Sequence, residues 1–233
     1  MLGDTLEKIA GEKAGIIKSN IPVVIGETQP ETQNVFIAKA EETNSEIFFA
    51  DQSIAKVLES DLKGSYQIHN IKTVQKSVEV LKHSGFKISE VQLKRGLLNV
   101  VENTNIQGRW QVIETEPKIL CDTAHNKEGL SYVMQQLKSE VFEKLHIVFG
   151  VVNDKDLNFI KSLLPADAIY YFCKPNVQRG LNAITLRTVF AKYNLIGEAY
   201  NSVEEALNAA KSKAKKKDLI YAGGSTFVVA EII

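Results

Sequence analysis

Apolar residues in this chain follow two rhythms that take turns: short unbroken runs, and longer stretches in which they return every three or four positions. Ile21-Pro22-Val23-Val24-Ile25-Gly26 and Ile47-Phe48-Phe49-Ala50 are runs of the first kind and predict short buried strands. Between them Pro30 opens a helical pattern, Glu31 to Glu42, with Val35, Ile37, Ala38 and Ala40 expected inward. Ahead of both, Asp4-Thr5-Leu6-Glu7 reads as a capping box with Asp4 at the N-cap, starting a helix that Gly15 ends. The stretch Asp51 to Leu62 has no clear period and receives no assigned structure. A helix is predicted from Asn70 to Ser84, with Ile71, Val74, Val78 and Leu81 as its apolar stripe and Gly85 as its stop. Another, Glu90 to Asn99, is capped by Ser89 and turns Val91, Leu93, Leu97 and Leu98 inward.

Glu102-Asn103-Thr104-Asn105 is a polar joint, and the expected domain boundary divides residues 1–103 from 104–233. Beyond it strands and helices alternate. Strands are predicted at Trp110–Glu114, around Ile119, and at His146–Gly150, Ala168–Cys173 and Leu219–Ala222; a hairpin through Glu116-Pro117 joins the first two. Helices are predicted at Lys127–Leu137, Leu157–Leu164, Ile184–Tyr193 and Val203–Ala214, with a last one after Gly223-Gly224-Ser225. That alternation predicts an α/β protein whose second domain is a mostly parallel, Rossmann-like sheet with helices on both faces.

Composition narrows the function classes. Lys+Arg and Asp+Glu both number 28, so zero net charge argues against nucleic acid or an anionic membrane surface as partner. No apolar stretch is long enough to span a bilayer, and no signal peptide is present. Cys121 and Cys173 fall within apolar strand runs, the habit of buried free thiols rather than of a secreted disulfide scaffold. These features together suggest a cytoplasmic protein. The basic cluster Lys211 to Lys217 ends a helical pattern and reads as a solvated helix end.

Candidate chemistry gathers at Lys118-Ile119-Leu120-Cys121-Asp122-Thr123-Ala124-His125-Asn126. An apolar run ends in a carboxylate and an imidazole, and Asn126 can cap the helix that follows. In an open α/β sheet ligands bind at such carboxyl ends of strands, and a helix start there suits phosphate or carboxylate groups. The plain alternative is a turn whose Asp and Asn only satisfy backbone donors. Arg109, after Gly108, could hold a phosphate with its fork of donors, or be a surface arginine. Asn70 at a helix start could simply be an N-cap. Gly223-Gly224-Ser225 resembles half of a phosphate-cradling loop. Asp154-Lys155-Asp156 follows the Gly150 strand end, where a charged helix start is the alternative. No histidine or cysteine has metal-ligand spacing, and no nucleophile elbow is present.

Taken in order, these motifs resemble a known group. Leu2-Gly3-Asp4-Thr5, Ile9-Ala10-Gly11-Glu12-Lys13-Ala14-Gly15-Ile16, Tyr66-Gln67 with Asn70, Gly108-Arg109, Asp122-x-Ala124-His125-Asn126, Asp154-Lys155-Asp156 and Gly223-Gly224-Ser225 are similar to the motifs of the folylpolyglutamate synthase/dihydrofolate synthase group, relatives of the Mur ligases. The resemblance runs along essentially the whole chain. It implies an ATP-dependent amide ligase in which ATP phosphorylates a substrate carboxylate and the amino group of glutamate attacks the acyl phosphate. By position Lys13 matches the group's carbamylated lysine, whose oxygen-donor head would hold Mg²⁺. Asn70, Arg109 and Asp122 match ATP-contacting positions, and His125 a catalytic histidine near the transferred phosphoryl group. Asp154, Lys155 and Ser225 fall on the side expected for glutamate and domain closure.

The resemblance implies ATP and Mg²⁺ as cofactors, and glutamate and folate or dihydropteroate as partners. Residues 1–103 would be the back part of an ATP-binding domain and 104–233 a C-terminal glutamate-ligase domain. No Gly-x-x-x-x-Gly-Lys-Ser/Thr loop occurs in the chain, and the group's metal-binding histidine and folate-binding segments lie upstream of its Leu-Gly motif. The expectation is therefore a portion of a longer protein, monomeric when full length, and inactive as a ligase by itself. Lys13, Asn70, Arg109, Asp122 and His125 are expected to converge on one nucleotide. Two other readings stand beside it: a non-catalytic nucleotide- or glutamate-binding α/β module, and another Mur-type ligase with the same chemistry and a different acceptor.

Overall fold

The computed structural model describes residues 3, 5–153 and 157–233. The chain forms two compact units, one from Met1–Asp61 and Tyr66–Asn103, the other from Leu62–Ser65 and Thr104–Ile233.

The first unit is built from α1 (Leu6–Ala14), β1 (Val23–Ile25), α2 (Pro30–Glu42), β2 (Ile47–Phe49), α3 (Ala50–Ser53), α4 (Gln67–His83) and α5 (Glu90–Leu98), with α6 (Val100–Thr104) at its border. β1 and β2 pair in parallel, from Val23 against Ile47 to Ile25 against Phe49. The cap of α1 is Thr5, whose hydroxyl accepts from the Lys8 N–H; the expected cap, Asp4, lies outside the described residues. Gly15 closes α1 in a right-handed conformation rather than a left-handed one. Ser89 caps α5 as expected, in a reciprocal box with Gln92, and Gly85 follows α4 with φ +95°.

Several helix positions expected inside are outside. Ala38 is exposed, as are Val74, Leu81, Val91 and Leu98. Two three-residue strands give this unit little sheet against which apolar helix faces can be buried. The irregular stretch after Asp51 contains only the single turn α3 before it loses regular structure.

The second unit runs β3 (Gln111–Thr115), β4 (Lys118–Asp122), α7 (Lys127–Leu137), β5 (Leu145–Phe149), α8 (Leu157–Leu163), β6 (Ile169–Cys173), α9 (Ala183–Ala191), β7 (Gly197–Tyr200), α10 (Val203–Lys213), β8 (Leu219–Gly223) and α11 (Thr226–Ala230). Its six strands lie in the order β3-β4-β8-β5-β6-β7. Every pairing is parallel except the β3–β4 hairpin, as the alternating pattern predicted. The pattern did not predict β7. Its Gly-Glu-Ala-Tyr is short and lacks an apolar run, which an edge strand tolerates.

Side chains alternate across this sheet. Ile119, Cys121, Val148, Tyr171, Cys173, Ile220 and Ala222 pack on one face with Val203, Ala206 and Ala210 of α10 and Val228 and Val229 of α11. The other face carries Phe149 and Phe172, which meet Phe190 of α9. Burial of each valine, isoleucine and phenylalanine among them contributes roughly 1.5–3 kcal/mol. Polar groups interrupt the core too: His146 of β5 is buried, with Nδ1 2.9 Å from the Tyr171 hydroxyl and Nε2 3.3 Å from a carboxylate oxygen of Asp218, itself buried.

Candidate functional site

Parallel register brings three strand ends level in the second unit. Asp122 of β4 lies beside Gly223 of β8, and Gly223 beside Phe149 of β5. These are carboxyl ends, and the chain leaves each toward the same rim: Thr123–Asn126, Gly224–Ser225 and Gly150–Asn153. This rim is where an open α/β sheet binds ligands.

Asp122 is 1% exposed. Oδ2 accepts from the Trp110 N–H at 2.7 Å and Oδ1 from the Ala124 N–H at 2.8 Å. The carboxylate thus ties the segment before β3 to the turn after β4. Trp110, itself buried, has φ +49°, a left-handed conformation that is costly for a bulky residue. Gly108 precedes it with φ +69°; a Cβ there would come within 2.8 Å of both Thr123 and Val229 side chains.

Between them stands Arg109, exposed, with Nη1 donating to the Thr123 hydroxyl at 2.7 Å. His125 is exposed on the same turn, with Nδ1 3.0 Å from the Thr123 carbonyl oxygen. Asn126 caps α7, accepting from the Gly129 N–H at 2.8 Å. Arg109, Asp122 and His125 are therefore brought together, with an anion-attracting cation and an imidazole at the rim and the acid beneath them.

Gly224 has φ +90°, and a Cβ there would lie 2.5 Å from the Phe149 ring. The loop can therefore pass so close to β5 only as glycine. Ser225 is buried and caps the short α11, accepting from the Phe227 N–H. Asp154 and Lys155 lie outside the described residues.

In the first unit, Lys13 sits exposed in the last turn of α1. Asn70 is exposed, and its amide donates to Gln67 Oε1 at 2.9 Å. α4 begins three residues earlier than expected, so Asn70 falls inside the first turn and is not the N-cap; Tyr66 holds that position, and its side chain does not cap the helix.

Two residues at the rim were not singled out from the sequence. Thr123 binds both Arg109 and His125, and only its place between Asp122 and Ala124 hinted at it. Arg179 lies over the Phe227 ring, 5.2 Å from its centroid, and its carbonyl accepts from the Asn153 N–H at 2.8 Å. It arrives from the loop between β6 and α9, far along the chain, and no local pattern marks it.

Comparison with known proteins bears on this rim. The Mur ligase, glutamate ligase domain, matches residues 108–226, a span that runs from Gly108 past Ser225. The chain belongs to the Mur ligase family. A dihydrofolate synthase/folylpolyglutamate synthase of Buchnera aphidicola subsp. Acyrthosiphon pisum is 29% identical over 100% of this chain and 58% of its own length. The Escherichia coli protein of the same description is 25% identical over 100% of this chain and 56% of its own length. A probable bifunctional folylpolyglutamate synthase/dihydropteroate synthase of Haloferax volcanii is 29% identical over 99% of this chain and 30% of its own length. The chain thus spans less than two thirds of each of these relatives. Among solved structures, a Mycobacterium tuberculosis folylpolyglutamate synthase complexed with ADP has a TM-score of 0.84 at 22% identity, covering 99% of this chain and 58% of that one. That likeness is one of fold, and it extends over both units of this Mur ligase family member.

Proposed function

We propose that this chain is part of an ATP-dependent ligase that adds glutamate to folate, to dihydropteroate, or to both, through an acyl phosphate. The observation that carries the reading is the Arg109–Thr123–His125 corner at the carboxyl ends of the sheet, inside the span matched by the glutamate ligase domain. An arginine fork and an imidazole there suit the charge of a transferring phosphoryl group. Asp122 serves the nucleotide by holding Trp110 and Ala124, and so the residues that flank them. Ser225, Asp154 and Lys155 belong to the glutamate side. Residues of the first unit are the back part of the ATP-binding domain, and Lys13 and Asn70 keep the roles that the resemblance gives them.

The relatives' descriptions supply the substrate class, and the ADP named for the mycobacterial protein supports ATP as the phosphoryl donor. Among the described residues no three His, Cys, Asp or Glu side chains are grouped to hold a metal ion. A Mg²⁺ ion would depend on a carbamylated Lys13 and on nucleotide phosphates. No helix among the described residues is long and apolar enough to cross a membrane; we assign the protein to the cytoplasm, as a monomer when full length.

The test is to express the reading frame together with whatever coding sequence precedes it, and to follow incorporation of labelled glutamate into folate and into dihydropteroate with ATP present. The expected result is ATP-dependent incorporation that Arg109→Ala and His125→Ala each lower by at least about 100-fold. The isolated chain should show none. Incorporation unaffected by either substitution, or none from the extended protein, would overturn the assignment. ATP bound tightly by the isolated chain with no turnover in the extended protein would favour a binding module.

A further inference from the structure

Thr123 holds both groups of the proposed phosphoryl site, one through its side chain and one through its backbone. Its hydroxyl accepts from Arg109 Nη1 at 2.7 Å. Its carbonyl oxygen lies 3.0 Å from His125 Nδ1. Its N–H donates to the Gly108 carbonyl at 2.9 Å, anchoring the residue before Arg109. On either side Asp122 is held in the sheet, and Ala124 is bound by the Asp122 carboxylate.

Two chemical consequences follow. A carbonyl oxygen can only accept, so the hydrogen between it and His125 must sit on Nδ1. The neutral imidazole then presents Nε2 as its lone-pair nitrogen, and the charged ring presents Nε2–H as a donor. Meanwhile one of the five N–H donors of Arg109 is spent on Thr123, which orders a long side chain and leaves four donors for an anion. Ordering that side chain in advance spares the ligand that cost on binding.

We propose that Thr123 is a positioning residue for phosphate binding, fixing the Arg109 guanidinium through its hydroxyl and the His125 tautomer through its carbonyl. This rests on the reading of Arg109 and His125 as nucleotide-site groups. The two halves of the side chain have separate tasks. The hydroxyl orders Arg109, and Cγ2 occupies the space a side chain at Gly108 would need, 2.8 Å from an added Cβ. Thr123→Val keeps the branched shape without the hydroxyl; Thr123→Ser keeps the hydroxyl without the methyl.

The experiment uses the full chain. In ligand-free protein, long-range ¹H–¹⁵N NMR reads the His125 tautomer, and guanidinium ¹⁵N signals read the order of Arg109; titration with ADP reads affinity. The expected result is an Nδ1–H ring in the wild type and both variants. Arg109 should be ordered in the wild type and Thr123→Ser, and mobile in Thr123→Val. ADP should bind Thr123→Val several-fold to about tenfold more weakly, and Thr123→Ser within about twofold of wild type. An Nε2–H ring at His125, a mobile Arg109 in the wild type, or a Thr123→Val protein with Arg109 still ordered overturns the proposal. The wild-type spectra decide this even if a variant fails to fold. Should the wild-type chain bind no ADP while the spectra come out as expected, the positioning stands and the nucleotide assignment to this chain fails.

Discussion

The Asp122 carboxylate accepts the Trp110 N–H at 2.7 Å, and Trp110 is held in the left-handed region at φ +49°. A bulky residue keeps that conformation only where its surroundings over-determine it. Asp122→Asn replaces one acceptor oxygen with an amide NH₂, which must then face the N–H of either Trp110 or Ala124. We expect a loss of about 1–3 kcal/mol in stability. Trp110 is the single tryptophan of the chain, so its emission reports this corner directly; Asp122→Asn should shift it toward the solvated range before global unfolding. Unchanged emission and stability would show that the carboxylate does not hold the corner.

Gly224→Ala should be among the most damaging single substitutions in the second unit. The added Cβ would sit 2.5 Å from the Phe149 ring and 2.8 Å from the Gly150 carbonyl, at φ +90°. Strain and overpacking together are expected to cost roughly 2–4 kcal/mol. Gly85→Ala, at φ +95° with no neighbour within 4 Å, is the control and should cost about 1 kcal/mol. Denaturant midpoints of the two variants provide the comparison.

Acid should destabilise the second unit beginning near neutrality. Burial pushes His146 below its ordinary value of 6.5, with Lys144 and Lys213 adding to the effect and Asp218 opposing it. Between that ordinary value and the lower folded one, the unfolded chain binds more protons. The stabilisation is therefore complete above about pH 6.5 and is lost as pH falls through the folded value. Burial alone would raise Asp218, but the Lys215 N–H and His146 outweigh it and hold the carboxyl below 3.8. Its contribution is likewise present above that value and lost at lower pH, so both groups act in one direction. Melting temperature should fall between pH 7.5 and 5.5, and His146→Gln should flatten that slope. A slope equal in the variant would assign the acid sensitivity elsewhere.

Both thiols should resist modification in the folded protein. Burial, with Asp122 adjacent, pushes Cys121 up to about 12, and burial likewise raises Cys173. Both side chains are 0% exposed in the core between the sheet and α10. Thiolate is the reactive form, so a thiol reagent at pH 8 should label them only as fast as the second unit opens. Labelling should accelerate in proportion to denaturant-driven unfolding; rapid labelling of native protein would contradict this packing.

Local pattern carried much of the second unit. α7 matches its predicted bounds, Lys127–Leu137, because its stripe is regular and Asn126 caps it. Strands β4, β5, β6 and β8 were legible as apolar runs because a sheet buried on both faces demands them. Legibility was poorer in the first unit. There Val74 and Val91 carry a helical period yet face outward, since a period says which residues share a side but not whether anything covers it.

The sequence by itself determined the alternation of strands and helices and the placing of Asp122, His125 and Asn126 at a strand-to-helix turn. These depend on residues within one or two turns of each other, where backbone sterics and side-chain period act directly. Only the tertiary structure decided the strand order, the edge strand β7, the left-handed Trp110, and the meeting of Arg109 with His125 on Thr123. Each of these depends on hydrogen bonds or register between segments that approach one another only after the sheet has formed, and no local rule encodes which segments will meet.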